Sequence, residues 1–284
     1  MVVVALGKAG GREMLAGSDL DLMLIYDHPA DVTESHGARN MASSQWFVRL
    51  AHTYVAALTA PGVEGRMYDV DMRLRPSGNK GPVAVSLNAF RHYHEHDAWT
   101  WERMALTRAR VIAGPAALRE LVTHAIGTAI AGESKTVRED AAAMRKRMLR
   151  ELPPDGPWDV KPRPGGQVEV EFIAQVLQLL HAGTKPEVLS PTTREALRRL
   201  AAAGVLPAPE AEMLVRADHT WRTVQGILRI TVGREAGETL PEASARPLLR
   251  ALGAQDLAAL RVELEALAGE VRGAFVRYVG PVGK

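Results

Sequence analysis

Residues 17–26 read Gly-Ser-Asp-Leu-Asp-Leu-Met-Leu-Ile-Tyr, an apolar run with two acids at its mouth. On a strand, residues two apart share a face, so Leu20, Leu22 and Leu24 anchor in a core while Asp19 and Asp21 leave the other face together. Ionised carboxylates side by side repel and raise each other's pKa unless a cation neutralises them, which makes a divalent metal their natural partner. All-oxygen donors favour Mg²⁺ over zinc, with Mn²⁺ as the alternative. Taken alone, an Asp-x-Asp at a strand edge is more often a solvated turn, so its neighbours decide.

Two neighbouring segments favour a site. Residues 2–6 are a β-branched run ending in Gly7-Lys8-Ala9-Gly10-Gly11, as expected of a strand that leads into a tight turn. Over residues 68–75, Tyr68, Val70, Met72 and Leu74 alternate with Asp69, Asp71, Arg73 and Arg75, which predicts a strand carrying Asp71 as a third carboxylate. A pair of Mg²⁺ ions held by Asp19, Asp21 and Asp71 would suit in-line displacement at phosphorus. The amides of Gly7, Gly10 and Gly11, with Lys8 and Ser18, could then meet a triphosphate. Arg73 and Arg75 either bind phosphate bidentately or pair with Asp69 or Asp71.

Beyond residue 86 the periodicity is helical, and no further strand is expected. Phe47, Leu50, Ala51, Tyr54 and Leu58 already follow helical spacing, and Pro61-Gly62 ends that pattern. A turn-rich loop, residues 76–82, closes the strand at 68–75. Pro115 is placed to open a helix running to about Gly132, Thr192 with Glu195 forms a capping-box signature, and Gly204 suits a helix end. Leu257, Leu260, Leu264, Leu267, Val271 and Ala274 describe one face of a bundle helix. The fold class expected is α+β: a small mixed-sheet domain over residues 1–115 followed by an all-α helical bundle over residues 116–284.

Composition narrows the partners. With 46% hydrophobic and 24% charged residues the chain should bury a packed core, and at 284 residues two domains are expected. Lys and Arg (35) barely exceed Asp and Glu (33), too balanced to announce a nucleic-acid binder. The absence of cysteine excludes disulfides and cysteinyl zinc sites and points to the reducing cytoplasm. No apolar run approaches the roughly 20 residues that span a bilayer, and no secretory leader is evident, so no membrane association is expected. Met1 opens directly on a strand-like run, as though upstream elements were missing.

Other clusters read more plainly. His92 and His96 would share a helix face, but a third zinc ligand is not evident. Trp99 and Trp101, with Phe90 and Tyr93, are expected to pack at a domain interface. Arg145, Lys146, Arg147 and Arg150 read as a solvated helix face. The loop Lys161-Pro162-Arg163-Pro164-Gly165-Gly166 either touches phosphate at the start of a helix, with Lys161 as its cation, or simply connects helices. A Rossmann site is disfavoured, because Gly10 to Ser18 is too short for a crossover helix, and no Walker A motif occurs.

Gly7-Lys8-Ala9-Gly10-Gly11-Arg12-Glu13 followed by Gly17-Ser18-Asp19-Leu20-Asp21-Leu22 resembles the signature of the glutamine synthetase adenylyltransferases, within the DNA polymerase β-like nucleotidyltransferases. The likeness continues through residues 70–78, residues 98–110, and Gly165-Gly166 with Glu169-Val170-Glu171-Phe172. Residues 68–110 resemble the half that attaches AMP to a tyrosine of glutamine synthetase rather than the half that removes it by phosphorolysis. The resemblance implies ATP as donor, Asp19, Asp21 and Asp71 as the catalytic metal ligands, and glutamine and the PII signal protein as regulators. Against it, the chain is far shorter than the family's full length, and Gln167-Val168-Glu169-Val170-Glu171 departs from the usual pattern while keeping the acid. Other readings are the AMP-removing half and a non-catalytic regulatory module that binds PII.

Overall fold

The computed structural model describes residues 1–36, 40–132, 135–233 and 237–282. The chain divides into two compact units, Met1–Gly132 and Glu133–Lys284.

In the first unit β1 (Val2–Ala5) pairs antiparallel with β2 (Leu20–Tyr26) on one side and with β5 (Arg110–Ala113) on the other. The outer edge of β2 carries two short parallel partners. β3 (Val70–Asp71) pairs at its start, with Leu20 opposite Val70 and Asp21 opposite Asp71. β4 (Ala84–Ser86) pairs at its end, from Leu24 opposite Ala84 to Tyr26 opposite Ser86. Parallel neighbours need a crossover, which α2 (Ser43–Thr59) supplies. Leu22, Leu24 and Tyr26 join Val3, Ala5, Ala51 and Ala84 in a core cluster, and Tyr26 stacks on Phe47 with ring centroids 4.2 Å apart. Helices α3 (Leu87–His96), α4 (Thr100–Leu106) and α5 (Ala116–Ala131) pack together and reach the sheet at β2, β4 and β5.

Four expectations change. The strand expected over residues 68–75 is a two-residue ladder, because Arg75 turns inward and folds the following loop around its guanidinium. Its donors reach Met72 O (2.6 Å), Pro82 O (3.0 Å) and Gly81 O (3.2 Å), joining the two ends of the excursion between β3 and β4. The glycine segment is a single helical turn, α1 (Gly7–Gly10), and β5 is a strand where none was expected. Helix α5 begins after Pro115 as expected, but it packs on β5, α3 and α4, so the division falls after Gly132 and not after residue 115.

The second unit is helical: α6 (Val137–Glu151), α7 (Gln167–His181), α8 (Thr193–Ala202), α9 (Ala208–Thr231), α10 (Glu242–Leu252) and α11 (Leu257–Tyr278). Leu260, Leu264, Leu267, Val271 and Ala274 form the buried face of α11. Arg145 is not on a solvated face: it is fully buried, donating from Nε to Glu169 at 3.0 Å and from Nη2 to Pro162 O and Arg163 O. No helix among the described residues is long and apolar enough to cross a membrane.

Candidate active site

The register of the sheet brings two of the predicted carboxylates, Asp21 and Asp71, to neighbouring positions. Neighbouring strands lie about 4.8 Å apart and in-register parallel partners project to the same side, so Asp21 and Asp71 stand next to each other. Asp19, one residue before β2, shares a cleft of about 450 Å³ with Asp69, Asp71, Arg73, Arg75 and Asn79. Val70 and Met72 pack against the core cluster, which turns the intervening Asp71 outward.

Arg73 supplies the positive charge. Its Nε donates to Asp71 Oδ1 at 3.0 Å and to Oδ2 at 2.8 Å, and its Nη2 also reaches Oδ2. That hydrogen bonding holds the Asp71 carboxyl below its usual range, and it raises the arginine, which also feels the fields of Asp21 and Asp19. The guanidinium thus neutralises Asp71 directly and feels the other two carboxylates only through their fields. No group of three His, Asp or Glu among the described residues is gathered to hold a metal ion. The donor set still fits a divalent cation, since it consists of hard carboxylate oxygens and one charge already concentrates on it. Of the two alternatives weighed for the arginines, Arg73 takes the ion pair, and Arg75 spends its donors on loop carbonyls.

The glycine turn meets the site through Gly7. At φ +51, a Cβ there would lie 2.2 Å from Asp21 Oδ2, and Leu6 N donates to Asp21 O at 2.9 Å. Gly10 is held as tightly, since its Cβ would fall 1.9 Å from Arg108 O. Lys8 is half-buried, Gly11 is buried at the end of the turn, and Ser18 is buried with its Oγ accepting from Leu15 N at 3.1 Å. None of Gly7, Lys8, Gly10, Gly11 or Ser18 lines the cleft itself.

Around the turn stand residues that residue type alone left without a role. Arg108 donates from Nε to Gly7 O at 3.1 Å and forms a buried ion pair with Glu13. Arg110 donates to Gly10 O and Ala9 O, both at 3.0 Å. The alternation Arg108-Ala109-Arg110 was a visible signal, but its acceptors, about a hundred positions away, were not.

Lys161 is exposed in the second unit. The adjoining helix start is spent on connection: Gln167 N donates to Val160 O at 3.0 Å, Val168 N to Lys161 O at 3.2 Å, and Gly165 N to Glu169 at 2.9 Å. His92 and His96 stack at 4.4 Å on the exposed face of α3. Phe90 is core, whereas Trp99 and Trp101 remain 69% and 38% exposed.

An α+β fold with a small mixed sheet, a glycine turn at the end of its first strand and Asp21 opposite Asp71 on neighbouring strands is consistent with a nucleotidyltransferase domain, here followed by a helical unit. Residues 1–124 match the family model described as glutamate-ammonia ligase adenylyltransferase, and residues 138–278 match that of the GlnD PII-uridylyltransferase. A protein of a Bradyrhizobium species (strain BTAi1), named bifunctional glutamine synthetase adenylyltransferase/adenylyl-removing enzyme, is 41% identical over 280 residues, covering 96% of this chain and 28% of its own length. Identically named proteins of Rhodopseudomonas palustris (strain BisB5) and Brucella suis biovar 1 are 41% and 40% identical over 98% and 99% of this chain and 28% and 29% of theirs. Over nearly its whole length the chain is similar to proteins named as glutamine synthetase adenylyltransferases, and it spans less than a third of the length of these relatives.

Proposed function

We propose that this chain transfers AMP from ATP to a tyrosine of glutamine synthetase, in the cytoplasm, with Asp19, Asp21 and Asp71 as the catalytic carboxylates. The observation that carries this reading is the register that sets Asp21 opposite Asp71 beside Gly7. The three carboxylates would hold two Mg²⁺ ions, or Mn²⁺ in their place, and the metal would supply charge neutralisation at the phosphates and a lowered pKa for the attacking hydroxyl. The residues themselves orient and screen. Asp71 must exchange Arg73 for the cation, which frees the guanidinium for phosphate oxygens. The glycine turn, with Lys8 and Ser18, is the inferred seat of the triphosphate, and Arg75 is a further candidate for it. In the reaction the tyrosine oxygen bonds to the α-phosphorus, the bond from that phosphorus to the β-bridging oxygen breaks, and pyrophosphate leaves in line.

The relatives are named for both attachment and removal of the adenylyl group, so phosphorolytic removal is the second reading. The match of residues 138–278 to a PII-uridylyltransferase model supports PII as a regulator, and it is equally compatible with a non-catalytic PII-binding module; glutamine as a regulator rests on the family resemblance alone. One pair of incubations separates these readings: unmodified glutamine synthetase with α-labelled ATP and Mg²⁺, and adenylylated glutamine synthetase with phosphate. Label incorporation in the first is expected, and Asp19→Asn, Asp21→Asn or Asp71→Asn should each lower it at least about 10²-fold with folding intact. ADP release in the second with no incorporation in the first would reverse the direction. Silence in both would favour the regulatory module.

A further inference from the structure

We infer that Arg110, backed by the Arg108–Glu13 pair, is a positioning residue that fixes the Gly7–Gly10 turn against Asp21 and so sets the nucleotide site. The inference rests on the nucleotidyl-transfer reading above. A helix of four residues is far below the length at which helical turns persist unaided, so α1 needs outside support. That support comes from the entry to β5. Arg108 Nε binds Gly7 O at 3.1 Å, and Arg110 binds Gly10 O and Ala9 O at 3.0 Å each. Cations at the carbonyl end of a helical turn are favourably placed, and the two guanidiniums here reinforce carbonyls whose local partners are few: Gly7 O also accepts from Gly11 N at 3.1 Å and Ala9 O from Arg12 N at 3.4 Å.

The glycines transmit this hold without slack. Gly10 is pressed between Arg108 O and Ala5 O, at 1.9 and 2.6 Å from where its Cβ would be. Gly7 abuts Asp21 Oδ2 at 2.2 Å on the same measure. The arginines, the turn and the carboxylate therefore form one packed series, in which a shift of the turn moves a catalytic carboxylate or opens space beside it. A misplacement of about 1 Å is enough to cost on the order of 10²-fold in rate.

Arg108 is a poor probe, because its side chain and that of Glu13 are only 7% and 2% exposed and its loss would strand a buried acid. Arg110 is half-buried and bonds backbone carbonyls, so it can be changed more safely. Arg110→Gln and Arg110→Lys should be compared with the parent 284-residue chain for amide exchange over residues 7–11 and for affinity toward Mg²⁺ with α,β-methylene ATP. KM for ATP and for glutamine synthetase should be measured separately. The expected result for Arg110→Gln is faster exchange in the turn and about tenfold weaker nucleotide binding, with acceptor KM within about twofold of the parent and partial recovery in Arg110→Lys. Nucleotide affinity within about twofold of the parent in the folded variants would overturn the inference. So would a loss carried equally into acceptor KM and melting temperature. If Arg110→Gln fails to fold, the Lys variant decides by the same measurements. A parent that binds no nucleotide would bring down the functional reading and this inference together, whereas a binding parent with an indifferent variant removes the inference alone.

Discussion

Gly7 adopts φ +51 with its Cα against the Asp21 carboxylate, so two separate costs fall on any side chain there. The left-handed backbone alone costs an alanine roughly 1–2 kcal/mol, and the methyl must also displace Asp21 Oδ2. We expect Gly7→Ala to lower the stability of the first unit by about 1–3 kcal/mol and to cut AMP transfer by about 10²-fold or more, because the group displaced is a proposed metal ligand. Denaturant unfolding and the transfer assay check the two halves independently, and full activity in the alanine variant would detach the glycine turn from the site. Arg73 illustrates the opposite case. Its side chain is 72% exposed, so its hold on Asp71 is screened by water and yields readily to a stronger cation.

Elements were legible where one period dominated. The apolar run of β2, the helical spacing of α2, the proline that opens α5 and the leucine face of α11 were all readable from residue type, whereas Asp19, expected on one strand face with Asp21, lies one residue before β2. What stayed hidden depends on partners distant in the chain. Residues 68–75 alternate like a strand, yet the carbonyls of Gly81 and Pro82 draw Arg75 inward and end the ladder at Asp71. Arg145 sits in a basic run that reads as solvated, and only the folded chain reveals Glu169 as its partner. That carboxylate, fully buried at the start of α7, accepts from Arg145 Nε (3.0 Å), Arg272 Nη1 (2.7 Å) and Gly165 N (2.9 Å). Glu169→Gln should therefore cost about 3–5 kcal/mol by leaving Arg145 buried without its counter-ion, while Arg145→Met with Glu169→Met should cost less than the sum of the single changes. Urea unfolding of the three variants measures this coupling, and additive costs would mean that the pair is not a unit.

At the scale of the molecule, the proposed chemistry and the buried Glu169 ion-pair cluster fall in different units: Asp19, Asp21 and Asp71 in Met1–Gly132, and Glu169 with Arg145 in Glu133–Lys284. A ligand that binds only the folded form stabilises the unit that holds it by RT ln(1 + [L]/Kd), about 2.7 kcal/mol at a hundredfold excess over Kd. For a unit of this size that amounts to a rise of several degrees in its melting temperature. In calorimetry Mg²⁺ with a non-hydrolysable ATP should raise one transition, and Glu169→Gln should lower the other by a comparable amount while leaving the nucleotide-induced shift intact. Asp21→Asn should abolish that shift without moving the transition that Glu169→Gln lowers. A nucleotide effect confined to the transition lowered by Glu169→Gln would assign the binding site to the helical unit, whose exposed Lys161 would then regain a claim on phosphate.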